Sequence, residues 1–164
     1  MQLRGYQQQA IDDLRNAYRA GSRAPLLCLP TGGGKTIIFC AIAQSAVARG
    51  GQVLILVHRR ELLHQASCKL TAIGVDHGLI AAGVPTSSQP VQVASVQTLV
   101  RRLHTMTWQP SLIIIDEAHH AAAGSWDRVL CHWPDAFRLG VTATPCRLDG
   151  RGLSSAFDLS LIHI

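Results

Sequence analysis

Three short segments of this chain carry no polar residue at all: 26–29 (LLCL), Val53–Val57 (VLILV) and 112–115 (LIII). A half-exposed strand alternates apolar with polar residues, so a strand that does not alternate is buried on both faces. Burying both faces requires a layer of helices on each side, and the sequence between the runs supplies them. Ala10, Ile11, Leu14, Ala17 and Tyr18 recur at helical spacing before the first run, and Gly21 is placed to end that helix. A glycine-rich turn and a helix to about Ala48 follow, closed by Gly50 and Gly51. Residues 59–70 read as helix, 91–94 as strand, 96–104 as helix and 138–142 as strand. The stretch 71–90 is weaker, with a short strand near 79–81 and then a loop. The expectation is an α/β fold: a mostly parallel sheet with helices on both faces.

The chain has 164 residues, enough for one ordinary domain with a real core. At 48% hydrophobic and 15% charged it is too apolar for general disorder. Its longest apolar-rich stretch, 36–48, is broken by Gln44 and Ser45 and is shorter than a membrane span. The polar opening MQLRGYQQQ does not read as a secretory signal, so the expected address is the cytoplasm. Five cysteines without a CxxC pair read as reduced thiols, and Cys28 and Cys40 as small hydrophobes. Histidines 58, 64, 77, 104 and 132 show no ligand spacing, and Trp108, Trp126 and Trp133 read as packing residues. A net charge of +5 permits a polyanionic partner.

In parallel sheets ligands bind beyond the carboxyl ends of the strands. After the first run stands Pro30-Thr31-Gly32-Gly33-Gly34-Lys35-Thr36. Glycines let successive N–H groups turn inward on a phosphate chain, and the helix behind adds its positive end. Lys35 is placed to reach the β and γ phosphates and the Thr36 hydroxyl to ligate magnesium. The strict pattern wants glycine where this chain has Leu29. After the run 112–115 come Asp116, Glu117, Ala118 and His119. A carboxylate ending a buried strand is costly unless it meets a cation. Asp116 is therefore assigned to magnesium, Glu117 to the attacking water and His119 to sensing the γ-phosphate. The plainer alternatives are a glycine turn with a stray lysine and a helix N-terminus carrying acids. Arg59 and Arg60 follow the second run, and Ser95, Gln97 and Thr98 follow 91–94, on the same edge. Guanidinium, hydroxyl and helix-end N–H groups suit a nucleic-acid backbone, although Arg59, Arg60, Arg101 and Arg102 also fit solvated helix ends.

Taken together, these segments resemble the first RecA-like domain of superfamily 2 helicases and translocases, nearest to RadD-like and type III restriction-subunit-like members. The resemblance covers about residues 3–158, and residues 116–119 form a DEAH box. In that family the first phosphate-loop position is often not glycine. The resemblance implies that Gln7 reads adenine with Arg4 nearby, and that 57–62 and 94–99 touch nucleic-acid backbone. It also implies that Thr142 and Thr144, with Arg147 following, couple hydrolysis to domain movement; on their own, the threonines fit the polar end of a strand.

The implied function is the ATP-binding domain of a helicase or translocase using Mg–ATP, with DNA favoured over RNA as partner. A second RecA-like domain, which in the family contributes the arginines for hydrolysis, is not found in the sequence. The expected organisation is a domain at 1–158 and a tail at 159–164 that does not continue the family pattern. Such a chain alone is expected to bind Mg–ATP with little hydrolysis. The alternatives are a non-catalytic nucleotide- or nucleic-acid-binding module and another P-loop phosphotransferase.

Overall fold

A computed structural model describes residues 3–118, 124–144 and 156–162. Helix α1 (Gly5–Arg19) leads into β1 (Pro25–Cys28), α2 (Lys35–Val47), β2 (Val53–Val57), α3 (Arg60–Ala72) and β3 (His77–Ile80). Then come β4 (Val91–Ser95), α4 (Val96–Arg102) with a 3-10 turn at Leu103–Thr105, β5 (Leu112–Asp116), α5 (Gly124–His132), β6 (Phe137–Thr142) and β7 (Leu159–Ile162). The strands form one sheet in the order β3-β4-β2-β5-β6-β1-β7, and every pairing is parallel.

The uninterrupted apolar runs behave as their composition requires. Val53, Ile55 and Val57 point into a core closed by Leu14 of α1, Phe39 of α2 and Leu63 and Leu70 of α3. Leu54 and Leu56 point the other way, against Val96 and Leu99 of α4 and Trp126 and Val129 of α5. At about 25 cal/mol per Å², burying each such side chain contributes roughly 1.5–3 kcal/mol. Trp126 and Trp133 belong to the second core, as their packing role anticipates.

Two elements lie outside the expected pattern. Helix α5 covers a stretch that carried no helical assignment, and its apolar contribution is a single Trp126-Val129-Leu130 stripe. Residues Leu159–Ile162, in the tail expected not to continue the family pattern, form β7, whose Pro25↔Leu159 to Cys28↔Ile162 register extends the sheet beyond β1. Immediately before it, Asp158 accepts hydrogen bonds from the Ser22 hydroxyl and from the Arg23 and Ala24 N–H groups, the latter two at 2.7 and 3.0 Å. Those bonds hold its carboxyl below the usual range against the opposing effect of burial.

Candidate functional site

Because all strands run the same way, the ends of β1, β5 and β6 share one edge. The loop after β1 is closed by hydrogen bonds, from Gly33 N–H to Pro30 O at 3.0 Å and from Leu29 N–H to Thr142 O at 2.9 Å. Position 29 faces the core and is 2% exposed, which explains why a leucine serves where the strict pattern has glycine. Gly32 and Gly34 have φ of 80° and 78°, the left-handed region that favours glycine. A side chain at Gly34 would also collide with the Gln7 amide. Gly34 is the N-cap of α2, whose start has no side-chain cap and no acid in its first turn. The helix therefore keeps its positive end and its first N–H groups for an external anion.

The start of α1 leans on this loop. The Tyr6 hydroxyl donates to Gly33 O at 3.1 Å and the Gln7 amide to the same oxygen at 3.5 Å. Gln7 Oε1 accepts from the Arg4 N–H at 3.0 Å, and Gln7 is buried. The structure thus brings Arg4, Gln7 and the 31–36 loop together, and adds Tyr6, a residue passed over in sequence because one aromatic in a polar stretch carries no pattern.

Facing the loop, Asp116 ends β5 at 5% exposure and accepts from the Glu117 N–H at 3.0 Å. Burial, then the nearby Glu117 charge, push its carboxyl up to about 6, against the lowering effects of that hydrogen bond and of Lys35. Glu117 adopts φ of 52°, an uncommon conformation for a side-chain-bearing residue. Its Oε1 lies 4.0 Å from Lys35 Nζ. One ammonium and two carboxylates therefore converge on the mouth of a glycine cradle. The donor set fits a divalent cation: a buried carboxylate that favours its neutral form gains most from a metal's charge. Beneath the site, burial, reinforced by Asp116 and opposed by Lys69, pushes the Cys40 thiol up to about 12, so it stays protonated.

Thr142 closes β6, buried, and its Oγ1 accepts from the Thr144 N–H at 3.3 Å. His119 and Arg147 lie outside the described residues. Further along the edge, the register Val57↔Ser95 aligns the ends of β2 and β4. Arg59, the N-cap of α3, and Arg60 are exposed there. Thr98 sits in the first turn of α4, behind its N-cap Ser95. Gln97 is engaged internally: its Oε1 accepts from the Ser95 hydroxyl at 2.8 Å and its Nε2 donates to His58 O at 3.4 Å. His58, which the spacing of the histidines gives no role, follows β2 directly, one residue beyond the Val57↔Ser95 pair; that position after a buried strand was the signal available.

Comparison with known proteins places the chain in a family. The family model described as "Type III restriction enzyme, res subunit" matches residues 1–147, and the chain belongs to that family, as an N-terminal RecA-like domain of the superfamily 2 helicases. "Putative ATP-dependent helicase IRC3" of Saccharomyces cerevisiae is 40% identical over 98% of this chain and 26% of its own length. "DNA 3'-5' translocase XPB2" of Sulfurisphaera tokodaii is 28% identical over 92% of this chain and 33% of its own length. The chain thus spans a quarter to a third of these relatives. Among solved structures, the UvsW helicase of bacteriophage T4 superposes with a TM-score of 0.81 at 21% identity, covering 99% of this chain and 61% of that one. The Pyrococcus furiosus Hef helicase domain gives 0.77 at 21% identity, covering 98% and 38%.

Proposed function

We propose that this chain is the ATP-binding module of an ATP-dependent helicase or translocase that moves on nucleic acid, DNA rather than RNA. The observation that carries the reading is the uncapped start of α2 and its glycine cradle, with Lys35 set against Asp116 and Glu117. In this reading Thr31, Gly32, Gly33, Gly34 and Lys35 hold the phosphates, while Gln7 and Arg4 meet the base. Thr36 and Asp116 would hold magnesium, which when bound neutralises charge between the phosphates. Glu117 orients the attacking water and takes its proton, and His119 senses the terminal phosphate. Lys35 leaves Glu117 for the phosphates, which releases that carboxylate for its task. Thr142, Thr144 and Arg147 pass the state of the site onward. Arg59, Arg60, Ser95 and Thr98, with Gln97 beside them, face the nucleic-acid backbone.

Hydrolysis of this kind rests on positioning and charge, and an arginine from outside commonly supplies about 10³–10⁵ of the rate. In this reading that arginine belongs to a further domain of the parent protein. The 164-residue chain then binds Mg–ATP with little turnover and does no unwinding alone. The cytoplasm, where the expectation from sequence placed it, stays part of the reading. Among the described residues no helix is long and apolar enough to cross a membrane. The test is calorimetry of Mg–ATP binding to the chain and to Lys35→Ala. A tenfold or greater loss is expected; equal affinity overturns the phosphate assignment.

A further inference from the structure

The edge opposite the nucleotide site carries a cavity of about 380 Å³, within the range of small-molecule pockets. It opens between the second halves of α1 and α2, over the first residues of β5 and β6. Ile11 and Leu14 form one wall, Ile42 and Ala46 the other, and Leu112 and Phe137 the floor.

The polar groups around it have one sign. Arg15 and Arg49 line the cavity, and among the described residues no carboxylate does. Arg15 is paired with Asp12 at 2.9 Å. Arg49, on the turn after α2, has no side-chain partner among the described residues. Two of the hydroxyls are committed, Tyr18 donating to Arg138 O at 2.7 Å and Ser111 to Gln52 O at 3.0 Å, while Ser45 adds a neutral hydroxyl to the α2 wall. Largely apolar walls with one charge unpaired among the described residues, the Arg49 guanidinium, and a single neutral hydroxyl, Ser45, suit a ligand with a hydrophobic body and one negative charge. A zwitterion or a sugar would leave polar groups unmet against the aliphatic walls.

We propose that this cavity is a binding site for a small amphiphilic acid, its aliphatic or aromatic body between α1 and α2 and its carboxylate or sulfonate on Arg49. The site is separate from the nucleotide edge, and the proposal stands whether or not the chain binds ATP.

The probe is 8-anilinonaphthalene-1-sulfonate, which has an aromatic body and one sulfonate, titrated against the folded chain. Saturable one-to-one binding is expected, weakened at least tenfold by Ala46→Phe, which fills the cavity. Arg49→Ala, which removes an exposed charge partner, should weaken it about two- to fivefold. The uncharged parent N-phenyl-1-naphthylamine should not distinguish Arg49→Ala from the unchanged chain. Cooperative thermal unfolding shows that each variant is folded. If Ala46→Phe does not fold, methyl NMR on the unchanged protein decides: shifts centred on Leu14, Ile42 and Ala46 support the site. Absence of saturable binding, affinity that survives both substitutions, or shifts centred elsewhere overturns it.

Discussion

At the scale of single residues the site trades stability for chemistry. Asp116 is held near 6 against an ordinary 3.8, so between these values the folded chain keeps a proton that the unfolded chain releases. Its contribution is most favourable below about pH 4 and is lost as pH rises through about 6. Asp116→Asn should therefore raise stability at pH 7 by on the order of 2 kcal/mol, with the advantage fading toward pH 4. The same variant should lose the magnesium dependence of nucleotide binding. Denaturant unfolding at pH 4 and pH 7 and calorimetry with and without magnesium check both halves. Gly34→Ala meets two obstacles, a φ of 78° and the Gln7 amide, and should weaken ATP binding by at least tenfold while leaving the core intact. Nucleotide titration alongside circular dichroism tests it. Much of this was legible in the sequence, because the loop and the acids follow buried runs directly. The engagement of Gln97 with His58 was not, since the two are joined only by strand register.

At the scale of elements, the strands buried on both faces are those the residue pattern identified best: Val53–Val57 appears unchanged. An uninterrupted apolar run has few alternatives in water, so local composition decides it. Helix α5 escaped notice because one apolar stripe in nine residues is a weak periodic signal; packing of Trp126 and Val129 on the sheet settles it. Strand β7 is likewise fixed by a distant partner, β1, and not by its own LSLI residues. The anchoring bonds end at Asp158, which leads to a prediction. A chain ending at residue 158 should retain ATP affinity within about threefold, whereas Asp158→Ala should loosen the entry to β1 and cost roughly 1–3 kcal/mol. Nucleotide titration of the shortened chain and denaturant melts of the variant measure the two effects.

At the scale of the whole molecule, the sheet order separates two territories along one edge. The ends of β1 and β6 lie with the phosphate loop, and those of β2 and β4 with Arg59, Arg60 and Thr98. Binding to the second territory through guanidinium groups should release counterions from the nucleic acid. Raising salt from 50 to 200 mM should then weaken single-stranded DNA binding severalfold or more, and Arg59→Ala with Arg60→Ala should flatten the slope. Fluorescence anisotropy across a salt series measures this, and an unchanged slope would remove the two arginines from the interface. Strand β5 lies between the territories, paired with β2 on one flank and β6 on the other. The residue that follows it, Glu117, is held in an unusual backbone conformation and leans on a lysine from the phosphate side. In the proposed reading, a change in that lysine's allegiance would be delivered to the midline of the sheet, next to the half proposed to face nucleic acid, without any longer chain of intermediaries.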